Sequence, residues 1–89
     1  MTAWTDDAQP ALTSIYRMQW EEAQQCHVLL FPEGMIKLNG PAAEILQRCD
    51  GKTSVAALVA DLERTFGGSQ LHADVLESLE QAHGRHWIR

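Results

Sequence analysis

The residues able to do chemistry in this chain are spaced so that they stand apart. Cys26 and His27 have the types of a nucleophile and its base. Neighbours on an extended strand point to opposite faces, however, so the two side chains cannot meet. Glu80, His83 and His86 fall at steps of three, the spacing at which metal ligands stack along a helix, but Gly84 interrupts the run. Cys26 and Cys49 belong to no CxxC pair and have no second pair to complete a zinc site, so they read as two reduced thiols. The adjacent carboxylates Asp6-Asp7 and Glu21-Glu22 lie in polar segments and read as solvated charge. No catalytic residue, metal or cofactor is expected.

The overall balance excludes further classes. Twelve acidic residues against seven basic ones give a formal charge of -5, which repels phosphate backbones and anionic lipid. A content of 45% hydrophobic and 21% charged residues is an ordinary globular mixture, and 89 residues suffice for one modest core. The opening MTAWTDDAQP is acidic where a secretory signal would be basic and then apolar. No apolar run approaches the roughly 18 residues needed to span a bilayer. These features predict a soluble, cytoplasmic protein.

The remaining pattern predicts the elements. Residues 1–14 lack periodicity and read as a loosely held, flexible arm, leaving 15–89 as a single domain. YRMQWEE, CHVLLF and GMIKLN read as three strands, the last two joined by the tight turn Phe31-Pro32-Glu33-Gly34. Period two makes the second strand apolar on both faces and the third on one. Asn39-Gly40-Pro41 opens a first helix carrying Ala42, Ile45, Leu46 and Cys49, and Asp50-Gly51 stops it. Thr53 is the expected cap of a second helix with the stripe Val55, Leu58, Val59, Leu62 and Phe66, ending at Gly67-Gly68. Ser69 is the expected cap of a third, with Leu71, Val75, Leu79 and Ala82 along one side, Leu76 beside them and Gly84 near its end. The apolar tail His86-Trp87-Ile88 should pack back on the sheet or the third helix.

The predicted fold class is therefore α+β, a three-stranded antiparallel sheet followed by a three-helix bundle, winged-helix-like. That shape raises an alternative function, a nucleic-acid-binding or other protein-interaction module. The third helix argues against DNA, because it carries Asp74, Glu77 and Glu80 and no cation before Arg85. A more suitable use is strand addition. The third strand is short, lies at a sheet edge and carries Lys37, and the third helix has more apolar area than one small sheet needs. A free edge can also pair with a second copy, so monomer and homodimer both remain open.

The run HVLLFPEGMIKLNGPAAEILQRCDGKTSV, with RMQWEE before it and HWI at the close, resembles the PqqD family over residues 17–89. Pro41 stands where that family commonly has Ser, and the N-terminal arm has no counterpart. The resemblance implies a RiPP recognition element that takes part in pyrroloquinoline quinone (PQQ) biosynthesis without catalysing a step. It implies binding of the ribosomal precursor peptide PqqA and its presentation to PqqE, a radical S-adenosylmethionine enzyme that cross-links a Glu and a Tyr within the peptide. It further implies that the peptide lies as an added strand along Met35, Ile36, Lys37 and Leu38, against a helical wall of Val75, Leu76 and Leu79. Lys37 would favour an acidic peptide residue. Trp20, on the first strand, is expected in the core, the alternative being a surface that meets the enzyme partner.

Overall fold

Strands come first and helices after them in the computed structural model, which describes residues 4–68 and 70–89. Strands β1 (Arg17–Glu21), β2 (Cys26–Phe31) and β3 (Gly34–Lys37) form one antiparallel sheet in the order β1-β2-β3. Helices α1 (Gly40–Leu46), α2 (Val55–Phe66) and α3 (His72–Gly84) follow. Val28 and Leu29 are both 0% exposed, as expected of a central strand with apolar residues on both faces. Leu29 is flanked on the helix side by its cross-strand partners Met18 and Ile36, and these pack on the core formed by Ile45, Leu58, Val75 and Leu79.

Local chemistry sets the boundaries. The β2–β3 turn contains only Pro32 and Glu33, since Phe31 pairs with Gly34. Asn39 caps α1 by accepting the Ala42 N–H at 2.8 Å. That helix closes at Leu46, before Cys49, which lies in the following turn with its thiol 3.3 Å from the Ile45 carbonyl. Ser54, not Thr53, caps α2. The reason is Asp50, whose carboxylate accepts the Lys52 and Thr53 N–H groups and the Thr53 hydroxyl, committing Thr53 to the turn before the helix. These bonds, the Lys52 N–H foremost, hold the Asp50 carboxyl below the usual carboxylate range. Phe66 follows the α2 stripe in sequence but is 58% exposed, one residue before Gly67 turns left-handed with φ 69°.

The expected cap Ser69 lies outside the described residues. Leu71 stands at the N-cap of α3 without a capping side chain, and its own N–H meets the Glu63 carboxylate at 3.0 Å. Gly84 is the last residue of that helix, as its place in the sequence suggests, and the reversal comes two residues later at His86, with φ 65°. The Trp87 N–H returns to the Ala82 carbonyl and the His86 N–H to that of His83, the bond pair of a Schellman stop with histidine in the place glycine usually takes.

The stop sends the tail back across the molecule, and there the structure corrects the expectation of a loose arm. Ala11 and Arg89 exchange both backbone hydrogen bonds, Leu12 bridges Ile88, and the Thr13 N–H reaches the Trp87 carbonyl. Upstream, the carbonyls of Asp6 and Ala8 accept the Ala56 and Val55 N–H groups at the start of α2. Trp4 and Pro10 are buried, and the Trp4 ring sits edge-on to His83 at 5.4 Å. Periodicity could not announce this segment because backbone groups, not a repeating apolar face, hold it.

Candidate functional site

Strand β3 pairs with β2 on one side only. In an antiparallel ladder, residues alternate between those whose N–H and C=O face the partner strand and those that face away. The Leu38 N–H donates to the His27 carbonyl at 3.0 Å, which fixes the phase. Leu38, Ile36 and Gly34 thus turn their backbone groups toward β2, while Met35 and Lys37 turn theirs outward. The side chains alternate too. Ile36 and Leu38 face the core, half-buried and 6% exposed, whereas Met35 (44% exposed) and Lys37 lie on the outer face.

Beyond the end of β3 the chain enters α1, and α3 crosses beside it. Between them is a cleft of about 210 Å³ whose β3 side is Lys37, Leu38 and Asn39. Its α3 wall is Ser78, Gln81, Ala82 and Arg85. These four follow the i, i+3, i+4, i+7 rule, a stripe one step round the helix from the expected wall. Val75 and Leu79, at 2% and 0% exposed, belong to the core, and Leu76 is half-buried against it. Val75 instead touches a second, larger groove of about 550 Å³, bounded by Pro41, Ile45, Leu62, Phe66 and Leu71. The stripe Ser78-Gln81-Ala82-Arg85 is readable as spacing, but its small and polar members do not announce themselves as a wall.

In a chain of net charge -5, the cleft is locally cationic. Lys37 and Arg85 both line it, and among the described residues neither takes part in an ion pair. Arg85 stacks over the Trp87 ring at 5.1 Å, which orients it without neutralising it. Arg48, by contrast, is consumed internally. It bonds Asp61 at 2.6 Å and Glu44 at 3.0 Å, locking α1 to α2. Burial alone would lower the Arg48 guanidinium, but these bonds hold it above its ordinary value, and they depress Asp61, which also pairs with Arg64.

The residues considered first for chemistry remain apart. Cys26 and His27 occupy opposite faces of β2, and both cysteines are free thiols. Burial, and then the nearby Asp50 charge, push the Cys49 thiol up to about 12, the mark of an inert buried cysteine. His83 and His86 are exposed, and no group of three or more metal-binding side chains gathers among the described residues. Among those residues no helix is long and apolar enough to cross a membrane. Trp20 departs from its expected place in the core: it is 46% exposed on β1, donating to the Glu22 carboxylate at 2.7 Å and standing edge-on to His27 at 5.1 Å.

Known proteins share this arrangement. The sequence profile of the family described as Coenzyme PQQ synthesis protein D (PqqD) matches residues 26–88. A protein of Azotobacter vinelandii named PqqA binding protein is 55% identical over 80 residues, covering 89% of this chain and 87% of its own. One of Methylococcus capsulatus with the same name is 51% identical, covering 88% and 84%. The solution structure of the PqqD part of Methylobacterium extorquens PqqCD, described as a functional, stand-alone RiPP recognition element, superposes with a TM-score of 0.80 at 27% identity, covering 99% of this chain and 96% of the other. The crystal structure of PqqD from Xanthomonas campestris gives 0.57 at 32% identity, covering 96% and 97%.

Proposed function

This chain belongs to the PqqD family, and from that premise we propose that it binds the precursor peptide PqqA as a fourth strand on β3 and holds it for the radical enzyme PqqE. The relatives named PqqA binding protein support the ligand, and the solved RiPP recognition element supports the class of module. The observation that carries the mode of binding is the outward pair Met35 and Lys37 at an edge whose last residue, Lys37, lines the cleft against α3. Main-chain pairing to these two residues supplies affinity indifferent to sequence, and alternate peptide side chains then fall to either side. Inner ones enter the cleft beside Leu38, Ala82 and Arg85, where Val75, Leu76 and Leu79 support the wall from beneath; outer ones lie beside Met35 and Lys37, which favours an acidic residue there. The protein contributes no reacting group and works in the cytoplasm as a carrier.

The test is an amide titration with PqqA. The Met35 and Lys37 signals should move together with those of Ser78 to Arg85, and strongly reduced exchange of the Met35 and Lys37 amides should accompany binding. Shifts confined to residues 4–14 would sink the proposal. Adding PqqE to the saturated complex should then produce a ternary species by size, and a binary complex that dissolves on adding the enzyme would overturn the role as presenter.

A further inference from the structure

The second groove has no role in an added strand of ordinary length, and its position suggests one. It shares Pro41, Ile45 and Ser78 with the cleft, so the two form a continuous path over the start of α1. A peptide that follows β3 past Lys37 runs toward Asn39 and Gly40, and Gly40 and Pro41 form the near wall of this groove. The lining is apolar where the cleft is mixed, with Leu62, Leu71 and Val75 at the floor and Phe66 standing 58% exposed at the lip. An aromatic ring left in water on an otherwise buried stripe is a ready contact for an arriving apolar side chain.

The charge on this groove is opposite to that of the cleft. Its two carboxylates are Glu44 and Asp74. Glu44 is already held by Arg48, whereas Asp74, among the described residues, is in no ion pair. Building on the added-strand reading, we propose that the α1–α2–α3 groove is a second subsite for the same peptide, taking an apolar anchor residue from the segment just beyond the added strand, with a basic residue beside it against Asp74. The peptide is then read twice by charge, acidic along β3 and basic beyond it, around one apolar anchor.

The experiment is fluorescence anisotropy with labelled full-length PqqA against the parent, Phe66→Ser, Asp74→Asn and Met35→Pro, each shown folded by circular dichroism. Phe66→Ser, at an exposed position, should weaken binding about tenfold. Asp74→Asn should cost about two- to threefold, with a shallower salt dependence than the parent. If Phe66→Ser and Asp74→Asn bind like the parent while Met35→Pro is weakened, the groove is not a subsite and the added strand stands. If Met35→Pro binds like the parent, the added strand fails, and the groove proposal built on it fails as well.

Discussion

The sheet has two open edges, and they are differently made. On β1 the same alternation turns the backbone groups of Met18 and Trp20 outward, so the edge is as unpaired as that of β3. It is guarded, however, by Arg17, Glu21 and Glu22, and its one exposed aromatic is already engaged by Glu22 and His27. The hollow beside it is open and polar at its far side, bounded by Gln47 and Asp50. On β3 a single charge, Lys37, marks the edge, and a helix stands across a cleft from it. Unpaired backbone alone does not make a receiving site. On the proposed reading the wall makes the difference, because it would offer alternate peptide side chains somewhere to go.

Proline substitutions separate the two edges most sharply. Ile36→Pro takes away a donor that faces β2 and should cost about 3 kcal/mol of stability or more, read by chemical denaturation. Met35→Pro removes an outward donor from the very next position, and an edge tolerates proline there. Its stability should stay within about 0.5 kcal/mol of the parent while PqqA affinity falls about tenfold or more, equivalent to about 1.4 kcal/mol. A larger loss of stability at Met35→Pro than at Ile36→Pro would show that the ladder runs in the opposite phase. Next in size, Arg85→Ala should weaken PqqA about three- to fivefold by titration calorimetry, whereas Trp20→Ala on the other edge should leave it unchanged. A loss at Trp20 would place peptide on β1.

A separate effect, on stability and not on binding, concerns the core behind β1, where Cys49 lies. Its folded-state pKa is raised from 9.0 to about 12, so burial favours the neutral thiol. The stability this represents is fully present below pH 9 and is lost as pH rises toward 12, by about 1.4 kcal/mol per pH unit within that window. Denaturation of the reduced protein at pH 8 and pH 10 should show the slope, and Cys49→Ala should flatten it. An equal slope in both proteins would assign the loss to other groups.

Much of this architecture is legible in the amino-acid order because punctuation is local. Pro32, Asn39, Gly51 and Gly67 each force a turn or a cap through their own backbone preferences, and the strands and helices fall between them. Thr53 misleads because Asp50 claims its hydroxyl, a contest invisible in the residue types that favour caps. The site is half legible. Period two finds the edge at Met35 to Leu38, but cannot say which residues turn their amides outward, since that depends on where the hairpin closes. The wall of Val75, Leu76 and Leu79 comes from the family resemblance and not from the stripe itself, and in the fold Val75 and Leu79 are buried in the core with Leu76 half-buried against it. The cleft is left to the adjoining stripe of Ser78, Gln81, Ala82 and Arg85.

The pairing of residues 11–13 with 87–89 imposes an order of events during synthesis. Its partners lie at nearly opposite ends of this sequence, so no part of it can form while residues 87–89 are still inside the ribosome. Until they emerge, Leu12 lacks its bridge and Trp4 lacks the full His83-bearing helix it packs on. Residues 6–12 can meet the turn at 49–51 and the start of α2 earlier, so the three residues after the Schellman stop act as a latch that closes last over a segment already partly seated.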